Sequence, residues 1–179
     1  MKTLLFLFAV SVITNFGFSQ NLNTERMALN ADNMSVSTAK SSPITLNKEY
    51  LDNVLDNSMA IHVSTLEKQV SQFNIISDSK YKGESKPFKT IFKTNKGSIA
   101  VSYDRTGKII NTIEKYASVK LPDAVRDTVF KTYSEWVLLN VDYYVYYNTN
   151  KKVKKMYLVK IGKGKLKKKI KVNSNGDIL

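Results

Sequence analysis

One histidine and no cysteine in 179 residues leave little catalytic chemistry to look for. His62 stands between Ile61 and Val63. Alone, it fits neither a His/Cys metal set nor a Ser-His-Asp triad, and it reads as a structural residue. Asp123 and Asp127 lie one helical turn apart, the spacing at which two carboxylates could share a metal or divide acid and base work. Their position favours a plainer role, stabilising the positive end of a helix while facing solvent. Asn173–Asp177 has the outline of a calcium loop but lacks the run of carboxylates and the distal glutamate, so it reads as a hairpin turn. Gly162-Lys163-Gly164 is not followed by a helix that could cradle phosphate on its amides. No enzyme constellation remains, and no cofactor or metal is expected.

The chemistry that remains belongs to a surface. Side chains alternate across a strand. Val141, Tyr143, Val145 and Tyr147 therefore share one side, joined by Tyr157, Val159 and Ile161 and then by Leu166, Ile170 and Val172, with Lys168 the misfit. The opposite side carries Tyr144, Tyr146, Met156, Leu158 and Lys160, completed by Lys165, Lys167, Lys169 and Lys171. Tyrosine and methionine ringed by lysine suit a contact surface. The formal charge is +13, but its distribution matters more. Eleven lysines and no acidic residue lie between Lys151 and Lys171. The expected partner is an acidic secreted or envelope protein. The alternative is an anionic polymer, such as acidic polysaccharide, lipopolysaccharide or DNA, held by hairpin 151–171. A solvated face whose lysines discourage edge pairing would show the same pattern.

The elements that must position this surface follow from periodicity. Leu121–Trp136 reads as a one-faced helix, with Leu121, Val125, Val129, Tyr133 and Trp136 on one side and Phe130 at its border. Asp123, Asp127 and Lys131 fall on the other side, and Pro122 suits the first turn. Strands are expected over Val137–Tyr147, Val153–Ile161 and Lys165–Val172. Earlier, Asn47–Asp56 predicts a short helix through Tyr50, Leu51, Val54 and Leu55, interrupted by Asn57-Ser58. Ser64-Thr65-Leu66-Glu67 matches a capping box, followed by a helix face of Leu66, Val70 and Phe73. After a polar loop at Ser77–Pro87, strands are expected over Phe88–Thr94, Ser98–Tyr103 and Lys108–Ala117. The first turn is Asn95-Lys96-Gly97, with glycine available for positive φ.

The pattern recurs. Ile91-Phe92-Lys93 lies over Leu158-Val159-Lys160 at an offset of 67 residues, as does Lys96-Gly97 over Lys163-Gly164. At an offset of 69, Val101-Ser102-Tyr103-Asp104 lies over Ile170-Lys171-Val172-Asn173, and Gly107-Lys108-Ile109-Ile110 over Gly176-Asp177-Ile178-Leu179. A duplicated unit is expected, one copy over 46–117 and one over 118–179. With LPDAVRDTVFKTYSEW (121–136), FKTNKGSIAVSYDRTGKII (92–110) and IKVNSNGDIL (170–179), the chain resembles the PepSY-like, or β-lactamase-inhibitor-protein-like, family of secreted Bacteroidetes proteins. The resemblance covers roughly 64–179. It implies a tandem α+β fold with helices on one face of an antiparallel sheet, a periplasmic or outer-surface location, and binding rather than catalysis. It brings no catalytic residues with it. Upstream, the apolar run Thr3–Phe18 behind Lys2, with Gly17 and Ser19 before Gln20, predicts a signal peptide over 1–19. Residues 20–45, rich in Asn, Ser, Thr and Ala, read as a disordered leader.

Overall fold

The computed structural model describes residues 46–179 and the backbone of Glu25–Ala28, so the expected signal peptide and most of the leader lie outside the described residues. In chain order the elements are β1 (Glu25–Ala28), α1 (Lys48–Val54), α2 (Ile61–Gln72), β2 (Phe88–Lys93), β3 (Gly97–Tyr103), β4 (Ile109–Ala117), α3 (Asp123–Thr132), β5 (Val137–Asn148), β6 (Lys151–Lys163) and β7 (Leu166–Asn173). The strands make one sheet in sequence order. β2 to β7 run as an antiparallel meander, and β1 joins its outer edge parallel to β2, Glu25 opposite Thr90 and Ala28 opposite Lys93. Glu25–Ala28 falls within the expected leader 20–45, the rest of which lies outside the described residues. The outer backbone edge of β2 offers unpaired N–H and C=O groups, and Glu25–Ala28 satisfies them.

The architecture is α+β, with the described helices α1, α2 and α3 on one face. Period-two alternation explains the choice of face. Ile99, Val101 and Tyr103 of β3, Val141, Tyr143, Val145 and Tyr147 of β5, and Tyr157, Val159 and Ile161 of β6 are all buried, as the alternation predicts. Tyr50 and Val54 of α1, Val63, Leu66 and Val70 of α2, and Val125 and Val129 of α3 close over them. Across the sheet centre Tyr116, Tyr143 and Tyr157 stack in a row, with centroids 6.1 and 4.9 Å apart. α3 starts behind Pro122, its Val125 and Val129 fully buried, while Asp123 and Asp127 face solvent and pair with Arg126.

Three local expectations change. The capping box does not form: α2 begins three residues earlier, at Ile61, and the Ser64 hydroxyl donates to the Ile61 carbonyl at 3.2 Å. Burying Val63 with Leu66 and Val70 requires a stripe at spacings of three and four, and that stripe starts ahead of Ser64. Gly97 does not use positive φ. It is needed because a Cβ there would lie 2.6 Å from the Tyr116 ring. Leu166, placed on the helix side, is 63% exposed; it is the first residue of β7, next to the turn at Gly164 and Lys165.

Candidate functional site

The open face is built from register. Opposite residues point to the same side, so Ile113 of β4 stands beside Tyr146 and Lys154, Lys115 beside Tyr144 and Met156, and Asp142 beside Leu158 and Lys171. Lys160 stands beside Lys169, and Lys167 beside Gly162. The expected anchors Tyr144, Tyr146, Met156 and Leu158 therefore share one surface with Lys160, Lys167, Lys169 and Lys171. Tyr146 is 39% exposed, and Tyr144, Met156 and Leu158 are half-buried. Lys165 is the exception. It lies in the turn at Gly164, where φ is +57°, and so belongs to the hairpin tip. Ile113, 55% exposed, was not foreseen as part of this face. Its signal was present in the alternation Thr112, Ile113, Glu114, Lys115, Tyr116, which is ambiguous until the register fixes which set points inward.

Electrostatics divide the face in two. Toward β5, Asp142 accepts from Lys160 Nζ at 3.0 Å and from Asn140 Nδ2 at 2.8 Å. Burial works against its charge, but those two hydrogen bonds and the Lys160 charge outweigh it and hold the carboxyl below its usual range. Lys115 lies over the Tyr144 ring, 5.9 Å from its centroid. Toward β7, Lys165, Lys167, Lys169 and Lys171 have no acidic partner among the described residues. Lys168, the misfit of the alternation, points to the helix side. Its ammonium sits 4.7 Å from the centroid of Tyr133 at the end of α3. Nearby, Lys163 pairs with Glu135.

A second polar cluster, hidden from sequence reasoning, lies under the helices. Glu114 is forced inward by strand parity between Ile99 and Val145. Its carboxylate accepts from the Tyr50 hydroxyl at 2.9 Å, Thr112 at 2.8 Å and Tyr116 at 2.7 Å. Burial nevertheless pushes its carboxyl up. Glu67 of α2, assigned to the capping box, is instead buried with Oε2 unpartnered. Burial, reinforced by the Glu114 charge, pushes its carboxyl up to about 8. His62 is a packing residue against Tyr116, ring centroids 6.4 Å apart. Among the described residues no cluster of three or more His, Asp or Glu side chains is placed to hold a metal ion. No helix among them is long and apolar enough to cross a membrane.

Fold and surface together define an α+β protein whose described helices cover one side of a long antiparallel sheet, with no described helix on the lysine-rich, tyrosine-bearing side. No family model matches the chain, and no curated protein matches it. Among solved structures it is similar to a BLIP-like protein from Bacteroides fragilis at 22% identity and a TM-score of 0.32, covering 49% of this chain and 60% of that one. The chain thus spans less than two thirds of that protein's length. The expected PepSY-like, or β-lactamase-inhibitor-protein-like, family meets no family model.

Proposed function

We infer that this chain is a non-catalytic binding module of the periplasm or cell exterior. It docks an acidic protein through the open face of β4 to β7. One observation carries this reading. Ile113 with Tyr146, Tyr144 with Met156, and Leu158 form an apolar band across three registered strands, flanked by lysines, with no described helix lying on it. Aromatic and methionine anchors inside a charged rim are the composition of a protein contact. The partner's acidity follows from the unpaired lysines of β7. The location rests on the signal-like residues 1–19.

The tandem organisation belongs to the same reading. The turns at Asp104–Lys108 and Asn173–Asp177, 69 residues apart, close alike. Asp104 Oδ1 accepts from the amides of Thr106 and Lys108, and Asn173 Oδ1 from those of Asn175 and Asp177. Gly107 at φ +80° and Gly176 at φ +93° complete them; Gly107 lies against Ile75 and Ile76, just after α2, and Gly176 against Ala124 of α3.

The test pairs capture with mutation. Tyr144→Ala combined with Tyr146→Ala is expected to abolish capture of an envelope protein while leaving the melting temperature nearly unchanged. Loss of folding, or capture indifferent to the pair, would refute the face. The unpaired lysines of hairpin 151–171 favour the second reading, a polyanion binder, and salt separates the two. Each phosphate contact to nucleic acid adds roughly 0.7–0.9 to the slope of log K against log salt, whereas an anchored protein contact keeps much of its affinity. The β6–β7 run has no arginine, the residue suited to bidentate phosphate forks.

A further inference from the structure

β7 is the outer strand of the sheet, and its far end is already paired. The Leu179 amide donates to the Lys171 carbonyl at 2.9 Å, the Asn173 amide to the Asp177 carbonyl at 2.9 Å, and Val172 bridges Ile178. These bonds fix the outward direction: Lys171 and Asn173 point their backbone groups away from β6. In a strand that direction alternates, so Lys167 and Lys169 also present N–H and C=O outward, while Leu166, Lys168 and Ile170 bond to β6. The same three lysines, 167, 169 and 171, project side chains onto the open face, with no acidic partner among the described residues. Backbone groups and ammonium groups thus repeat together every second residue, about 6.7 Å apart at strand rise.

We propose that the Leu166–Ile170 edge of β7 is a strand-addition site for an extended acidic segment of a protein partner, carrying Asp or Glu at alternate positions. The proposal rests on the acidic-protein reading above and says where that protein adds. Another β-strand replaces water on the outward N–H and C=O groups along the whole edge, and it shares their two-residue period. Its carboxylates then fall in step with Lys167, Lys169 and Lys171. The lysines also work against pairing of this edge with a second copy of itself, because like charges would oppose one another along the seam. Nucleic acid or polysaccharide could meet the ammonium groups but would leave the backbone unpaired.

The probe is a short peptide alternating glutamate and threonine. Its controls are a peptide of the same composition with the glutamates grouped, and single-stranded DNA and a polyuronate of equal charge. With the full chain, the alternating peptide is expected to bind about tenfold tighter than the grouped one and to slow hydrogen exchange at the Lys167 and Lys169 amides. Lys169→Pro removes an outward amide without breaking a bond to β6, and it should abolish that protection; Lys169→Gln, which keeps the amide, should retain it. Equal binding of the two peptides, or binding without protection of those amides, overturns the proposal, as does tighter binding of DNA or polyuronate. If Lys169→Pro melts early, the exchange pattern of the unmutated chain decides alone. Loss of a captured protein in the Tyr144/Tyr146 variant with no loss in Lys169→Pro would leave the face reading standing and the edge proposal refuted.

Discussion

The least expected residues are the two glutamates beneath the helices. Glu114 ties α1 to the sheet through Tyr50 and ties β4 to itself through Thr112 and Tyr116. Glu114→Ala strands three hydroxyls in the interior and should cost about 3 kcal/mol or more by chemical denaturation, since each buried group without a partner costs its desolvation. Glu67 gives a pH signature. Its carboxyl rises from the ordinary glutamate range to about 8 on folding. Below the ordinary range both folded and unfolded chains hold the proton. Between that range and about pH 8 the unfolded chain has released it and the folded chain has not. Unfolding then releases a proton, so stability falls as pH rises through this window and levels off above it. Glu67→Gln should raise the melting temperature at pH 8 by several degrees and change it little at pH 4. Glu114, also pushed up, leaves a slope of the same sign in that variant. If the melting temperature of the Glu67→Gln variant fell with pH as steeply as the parent's, Glu67 would have to be ionised in the fold.

At the scale of elements, three of the four described glycines at positive φ form a graded series. A Cβ at Gly176 would meet the backbone carbonyl of Ala124 in α3 at 2.7 Å. At Gly107 it would meet the Ile76 side chain at 2.8 Å, and at Gly164 nothing within 4 Å. Gly164→Ala should therefore cost only about 1 kcal/mol, the strain of its φ. Gly107→Ala should cost more, because Ile76 must turn aside. Gly176→Ala should cost most, because a helix backbone must shift; equilibrium unfolding of the three variants checks the order. The spacing 104–107 against 173–176 made both turns legible in the chain, and alternation made the buried side of β3, β5 and β6 legible too. Where the reading failed, a local signal lost to a tertiary demand. Ser64 and Glu67 have the spacing of a cap, but the burial of Val63 sets the start of α2. Gly97 looked like a turn glycine, but the Tyr116 ring of the neighbouring strand is what requires it. Glu114 could not be read as buried, because its partners Tyr50 and Tyr116 lie 64 residues before and two after it, and only register brings them together.

For the whole molecule, the asymmetry of charge matters more than its total. The candidate site was legible as far as period two and lysine counting reach: Tyr144, Tyr146, Met156, Leu158 and Lys167, Lys169 and Lys171 of β7 do share a face. Ile113 and the Asn140–Asp142–Lys160 cluster escaped, because cross-strand neighbours are a property of register. Those neighbours now separate two kinds of contribution to binding. Successive residues of the series Lys167, Lys169 and Lys171 lie about 6.7 Å apart, closer than the Debye length of about 8 Å at physiological salt, so an approaching acidic partner would meet the overlapping fields of neighbours. Fields of that kind act on encounter, whereas desolvated anchors act on escape. Replacing Lys165, Lys167, Lys169 and Lys171 with Glu should therefore slow association about tenfold or more in low salt and leave dissociation little changed. Tyr144→Ala with Tyr146→Ala should do the reverse, speeding dissociation at nearly constant association rate. Stopped-flow association across a salt series distinguishes them, because only the lysine effect should fade as salt rises. A charge-reversed chain that associates as fast as the parent in low salt would show that β7 lies outside the partner's path.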